Sequence, residues 1–243
     1  MTYRKYLKNP VLEDETDQMK GLPVPPIQKP YTEDAKLIDL IPRDSLKVDD
    51  ISLFQAISNR ESRRKYLDEE LTLEEISFLL WATQGVKELT RGGMLTKRTV
   101  PSGGAMHPYE TYLLVKSIEG LEPGLYRYLA IEHKLLILDT DKSDLSEKIV
   151  DVCHGQEFIG IAAVVFIWAV RPYRLEYRYG EDSLKDILMG VGHICQNLYL
   201  ACEAIGAGTC AIVAYNQDKL DKFIGVDGEN EIALYLAPVG KIR

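Results

Sequence analysis

The order of periodic segments points to an α+β fold, with a central mixed or antiparallel sheet packed by helices. Three observations carry this. Leu125–Tyr128 and Lys134–Leu138 read as a hairpin after the Pro123-Gly124 turn. Ile161 to Val170 is an unbroken apolar run, which suits a strand buried on both faces. Glu181 to Ile205 is the longest helical segment, and its residues Ile187, Val191, Ile194, Leu198 and Ala201 fall three and four apart. A hairpin together with helix-linked strands excludes an all-parallel or all-helical fold.

The other elements follow in chain order. The first fifty residues, domain 1–50, are broken by Pro10, Pro23, Pro25, Pro26, Pro30 and Pro42. They read as an extended arm lying on the surface or across a partner subunit, with a partly disordered leader as the alternative. Regular structure is expected from residue 51. Ile51–Ser58 reads as a short helix with Leu53, Phe54 and Ile57 inward. Thr72-Leu-Glu-Glu75 is a capping box, and the helix it opens should bury Ile76, Leu79 and Leu80 and end at Gly85. Residues 86–100 read as a loop rich in Gly, Lys and Arg, and Thr111–Lys116 as a strand. Leu145–Val152 is a helix, Gly206-Ala-Gly208 stops the long helix, and Ala211–Ala214 is a strand. Asn216 caps a helix to Ile224, and Glu231–Val239 is the last strand.

Composition narrows the function. In the 243 residues, 29 Lys and Arg stand against 37 Asp and Glu, a net charge of −8. A general nucleic-acid binder carries a basic surplus instead. No apolar run is long enough to span a bilayer, and no signal segment follows the start, so a cytoplasmic protein is expected. The four cysteines form no CxxC pair and read as reduced, buried thiols. His193 and Cys195 lie two apart on a helix, and Cys153 and His154 are adjacent; neither spacing suits a metal, so none is expected. No G-x-S-x-G is present, which weighs against a serine hydrolase of that type.

Three segments carry chemistry. Arg60-Glu-Ser-Arg-Arg-Lys65 gathers four cations in an acidic chain. In extended backbone Arg60, Ser62 and Arg64 point the same way, and guanidinium forks suit phosphate oxygens. The other reading is a solvated basic patch. Pro101-Ser-Gly-Gly-Ala105 has almost no side-chain bulk, which lets backbone N–H groups approach a flat ring or a phosphate. It is not a P-loop, since no GKS or GKT follows. Gly206-Ala-Gly208 is not a dinucleotide fingerprint either, because a helix precedes the glycines and a strand follows. Tyr173, Tyr177 and Tyr179 lie among Arg171, Arg174 and Arg178, as a surface loop of amphipathic side chains or as donors near an active site.

Taken in order, several motifs resemble the nitroreductase family of flavoenzymes, most like its SagB-type dehydrogenase branch. They are Arg60-Glu-Ser-Arg-Arg-Lys-Tyr66, Leu79-Leu-Trp-Ala-Thr-Gln-Gly85, Pro101-Ser-Gly-Gly-Ala-Met-His-Pro108, Gly124-Leu-Tyr-Arg-Tyr128, Gly192-His-Ile-Cys-Gln-Asn-Leu-Tyr-Leu-Ala201 and Val239-Gly240. The likeness runs from about Ser58 to the C-terminus and makes 51–243 one FMN-binding domain. It implies an intertwined homodimer with FMN at the subunit interface. Arg60, Ser62 and Arg64 match the element that holds the flavin phosphate and the polar edge of the ring. Pro101, Ser102, Gly103 and Ala105 match an element contributed by the other subunit, with Ala105 where many relatives carry Asn. Ala211, Ile212, Val213 and Ala214 match the strand facing the ring, and Lys241 and Arg243 the basic end near the phosphate.

The activity this implies is ping-pong reduction of a small nitro-aromatic or quinone-like acceptor by NADH or NADPH. One alternative is a SagB-type azoline dehydrogenase acting on a thiazoline or oxazoline in a peptide. There the azole-forming relatives use a Lys-Tyr pair, whereas this chain has Arg178-Tyr179, and arginine is no general base at neutral pH. Another is a flavin-binding protein without turnover. Tyr179 remains the candidate proton donor in a site where the flavin does the chemistry.

Overall fold

The computed structural model describes residues 4, 7, 8, 15–140 and 144–243; Pro10 and most of the first fourteen residues of the arm lie outside them. Its centre is a sheet of seven strands: β1 (Leu37–Asp39), β4 (Tyr109–Val115), β5 (Gly124–Leu129), β6 (Lys134–Asp139), β7 (Val164–Val170), β8 (Ala207–Thr209) and β9 (Ile232–Lys241). They run in the order β1-β6-β5-β4-β7-β9-β8, and every neighbouring pair is antiparallel. The parallel component is confined to isolated bridges, Ser62 with Thr209 and Leu71 with Ile118.

Alternation along the strands divides the core. On one face Leu113, Val115, Tyr126, Phe166, Trp168 and Val239 pack with α2 (Leu73–Gln84) and α6 (Ser183–Glu203). The other face turns Tyr112, Leu114, Val165, Ile167 and Leu236 toward α3 (Leu145–Val152), α4 (Glu157–Gly160) and α7 (Gln217–Ile224). β7 is central and buried at every residue, as its unbroken apolar run requires.

The capping box of α2 forms, with Glu75 N–H donating to Thr72 Oγ1 at 3.1 Å and Thr72 N–H to Glu75 Oε2 at 2.9 Å. Along α6 the stripe Ile187, Val191, Ile194, Leu198 and Ala201 is buried, and Asn197 donates to the Ala82 carbonyl of α2 at 2.9 Å. Asn216 caps α7 by accepting from Lys219 N–H.

Five expectations are corrected. Helix α1 (Leu53–Asn59) forms, but Leu53, Phe54 and Ile57 are 68%, 80% and 58% exposed, and Ala56 is its buried side chain. Residues 86–100 are no plain loop: Val86–Thr90 (β2) and Leu95–Arg98 (β3) form a hairpin whose charged side chains, such as Glu88 and Lys97, pair on its exposed side. The strand expected at Ala211–Ala214 lies earlier, at β8, because the turn that follows Glu203 closes at the left-handed Gly206 (φ +60°) and delivers the chain to the sheet at once. Residues 211–214 keep one bridge, from Ile212 to Leu236. Within the first fifty residues, Leu37–Asp39 pairs with β6 at the sheet edge. The tyrosine cluster lies on a helix, α5 (Tyr173–Tyr179), rather than a loop, with Arg174 and Tyr177 buried.

Candidate functional site

Helix α6 has a candidate half-site at each end. Near its C-terminal end, Tyr199 collects the first basic segment. The Arg60 guanidinium lies over the Tyr199 ring at 5.4 Å, and Ser62 Oγ is 3.0 Å from Tyr199 Oη. Ala211 N–H donates to the same oxygen at 2.8 Å. One phenol therefore joins Arg60, Ser62 and Ala211. Arg63 N–H donates to Thr209 O at 2.9 Å, which lays the segment along β8. This close approach needs Gly208, where a Cβ would sit 2.6 Å from Arg63 Cγ.

Arg64 lies over the Phe158 ring at 5.9 Å. Among the described residues neither Arg60 nor Arg64 forms an ion pair within 4 Å, although the Glu203 carboxylate feels the Arg60 charge, whereas Arg63 pairs with Glu61 at 2.5 Å. A cleft of about 620 Å³ opens here, lined by Glu61 to Leu67 with Ile242 and Arg243. Thr209 Oγ1 and Arg63 Nε beside it are buried polar atoms without a hydrogen-bond partner. Ile212 is buried, while Val213 and Ala214 are exposed next to it. Lys241 departs from its expected role. Its ammonium pairs with Glu75 and donates to the Ile205 carbonyl, so it ties β9 to α2 instead of facing the cleft.

The other half-site lies against the first turns of α6. Pro101–Ala105 forms a tight turn in which Ser102 Oγ accepts from His107 N–H at 3.0 Å. Gly104 (φ +55°) is left-handed, as are Ala105 and His107. Its missing side chain matters twice: a Cβ there would lie 2.8 Å from Arg178 Nη1 and 2.9 Å from Tyr179 Oη. At Gly103 it would lie 2.7 Å from Asp186 Oδ2. The Arg178 guanidinium covers the Tyr179 ring at 5.6 Å. The fold thus brings the glycine turn against Tyr179, whose hydroxyl stands where a Gly104 side chain would go.

The two half-sites do not meet within one chain. Asp186 and Tyr199 are thirteen residues apart on α6, which is about 20 Å along the axis. Among the described residues no hydrogen bond or ion pair joins the two.

Buried charge lies behind the glycine turn. Arg98, Glu110, Arg127 and Arg174 are all buried, and Arg174 Nη2 donates to Glu110 Oε1 at 2.5 Å. Burial works to raise the Glu110 carboxyl, but the Arg174 and Arg127 charges outweigh it and hold the group below its ordinary value. Burial, then the Arg174 charge, pulls Arg98 down to about 10. Burial and the Arg98 charge push His107 down to about 3, so its imidazole is neutral near pH 7. Sequence pattern does not mark this cluster, because its bonded pair, Glu110 and Arg174, is 64 residues apart.

Comparison with known proteins decides the family. A model described as the Nitroreductase family matches residues 57–241. The chain belongs to the nitroreductase family. It is 33% identical over 195 residues to a protein of Methanocaldococcus jannaschii that carries a nitroreductase name (MJ1384), covering 80% of this chain and 93% of that one. It is 31% identical over 150 residues to the trifolitoxin-processing protein TfxB of Rhizobium leguminosarum bv. trifolii, covering 58% of this chain and 39% of that one. A nitroreductase-named structure from Ralstonia eutropha superposes with TM-score 0.70 at 22% identity, covering 91% of this chain and 99% of that one. Another from Exiguobacterium sibiricum, solved in complex with FMN, superposes with TM-score 0.56 at 14% identity, covering 79% and 89%. The fold is nitroreductase-like, and the chain is an oxidoreductase of that family. Among the described residues no helix is long and apolar enough to cross a membrane.

Proposed function

We propose that this nitroreductase-family chain is an FMN-dependent oxidoreductase acting as a homodimer. It passes electrons from NADH or NADPH to a small nitro-aromatic or quinone-like acceptor. The carrying observation is the separation of the half-sites: about 20 Å of α6 lies between two surfaces of complementary character. Each FMN then lies between the Arg60–Ala211 surface of one copy and the glycine turn of the other. The exposed Leu53, Phe54 and Ile57 of α1, with Leu188 and Met189 of α6, supply apolar area for the contact.

The residues fit FMN. Arg60 and Arg64 form no close ion pair and present forks suited to a phosphate, and Arg64 shares its cleft with Arg243. The orphaned Thr209 Oγ1 and Arg63 Nε are polar atoms a ligand can satisfy. Gly103 and Gly104 let Tyr179, Arg178 and Asp186 close on the turn, which holds the Tyr179 hydroxyl beside its backbone. FMN, when bound, supplies two-electron redox chemistry that amino-acid side chains lack. The chain's own residues do the rest. The guanidiniums anchor the phosphate, the Ala211–Ala214 backbone supports the ring edge, and apolar side chains exclude water. Tyr179 holds a proton on Oη at the glycine turn.

The test is direct. The purified protein should be yellow, release FMN on denaturation, and lose its colour with NADH or NADPH under anaerobic conditions. A colourless protein that takes up no added FMN contradicts the reading. Bound FMN that neither nicotinamide reduces supports a flavin-binding protein without turnover.

A second reading, azoline oxidation in a peptide, is favoured by the likeness to TfxB. Incubation with a peptide bearing a thiazoline should then give a mass loss of two hydrogens. Arg178 in place of a lysine weighs against it.

A further inference from the structure

The segment Thr16–Pro30 lies outside the residues matched by the family model, yet it is bonded along its length to α5 and to buried side chains of β3, β4 and β5. Tyr173 donates to Asp17 Oδ2 at 3.0 Å. Gln18 N–H donates to Tyr177 O, and Tyr177 Oη donates to Leu22 O, both at 2.9 Å. Buried guanidiniums then take up the carbonyls that follow. Arg174 Nε donates to Pro26 O at 2.9 Å, Arg98 Nη2 to Ile27 O at 3.3 Å, and Arg127 Nη2 to Lys29 O at 3.1 Å and Pro30 O at 3.2 Å. Lys29 N–H closes the set on Glu110 Oε1 at 2.8 Å. A buried guanidinium stripped of water is costly unless its N–H groups are met. The proline-broken stretch has carbonyls free of ladder bonding to meet them.

Arg174 is the junction. Its fork reaches the arm at Pro26 O, the glycine turn's end at His107 O (3.2 Å) and the sheet at Glu110. It sits on α5 four residues before Arg178, one turn from the side chains that touch Gly104.

We propose that Arg174 is a positioning residue, through which the Thr16–Pro30 segment clamps α5 and the glycine turn and so sets where Tyr179 stands in the site. The proposal rests on the reading above for what Tyr179 faces. The clamp itself is independent of it. A lysine cannot replace the fork, because a single ammonium does not span three acceptors on three segments.

The test uses the full chain with Arg174→Lys. Hydrogen exchange should quicken in 101–107 and 173–182 and stay unchanged in 58–66 and 207–212. FMN content should hold, while kcat/KM for p-benzoquinone with NADH falls by up to about 100-fold. Adding Tyr179→Phe should not multiply that loss, since both changes act through one group. If Arg174→Lys does not fold, Tyr177→Phe removes only the hydroxyl bonded to Leu22 O and should quicken the same two segments to a smaller degree. Exchange that changes in the arm alone, or equally at both ends of α6, overturns the proposal. So does a kinetic loss that multiplies with Tyr179→Phe. A protein that holds no FMN but shows the localised exchange change keeps the clamp and removes the functional reading.

Discussion

At the Tyr199 end of α6, the half-site is assembled from three pieces of the family-matched chain: a basic segment, a glycine-bearing strand and one phenol. At the Asp186 end, the glycine turn and Tyr179 are braced by buried guanidiniums and by an arm outside the matched residues. The first end carries a surplus of surface guanidiniums and suits an anion. The second carries an ion pair buried in low dielectric and suits a fixed wall. Changes at the first end should therefore alter binding with little cost in stability, and changes at the second should unfold or loosen the protein.

The largest effect is expected from Glu110→Ala. It strands Arg174 and Arg127 without their shared carboxylate, at a cost of about 3–5 kcal/mol. Urea unfolding measures it, and an unchanged midpoint would break the contrast between the ends. Next is Arg60→Ala with Arg64→Ala. Each guanidinium–phosphate bond is worth about 1.5–3 kcal/mol, so FMN affinity should fall by at least about tenfold per residue. Flavin fluorescence titration reads the affinity, and the unfolding midpoint should stay within experimental scatter.

A pH effect separates the ends further. His107 titrates near 6.5 when unfolded and near 3 when folded. Between these values the unfolded chain binds the extra proton, so stability contributed above pH 6.5 is lost as pH falls toward 3. The urea midpoint should drop from pH 7 to pH 5, and His107→Asn should flatten that slope. Smallest is Thr72→Ala, which removes a cap remote from either half-site and should cost about 1 kcal/mol. Thermal unfolding checks it, with FMN affinity unchanged.

The same contrast governs what the sequence makes legible. Helices α2, α6 and α7 are readable because caps and periodicity are local. Arg60, Ser62 and Ala211 are readable as segments, and the fold unites them through Tyr199, which no spacing marks. The orientation of α1 is not readable: Leu53, Phe54 and Ile57 are apolar whether they face a core or a second copy. Strand β1 takes its register from β6, in which Ile38 pairs with Leu135, 97 positions on, so proline counting hides it. Arg174 reads as surface because arginine usually is. Its burial depends on acceptors at Pro26, His107 and Glu110, which come together only in the folded chain. Lys241 reads by resemblance as a phosphate ligand, but in the folded chain its ammonium pairs with Glu75.

Subunit complementation tests the split site most directly. Chains with Arg60→Ala and Arg64→Ala lack the anchoring half, and chains with Gly104→Val lack the glycine wall. Each variant alone should hold FMN weakly. After the two are mixed and allowed to exchange subunits, dimers of twice the 27.5 kDa chain mass should regain sites of wild-type FMN affinity, because one interface then carries both intact halves. A mixture that binds FMN no better than the separate variants, with exchange verified by mass, would contradict the account.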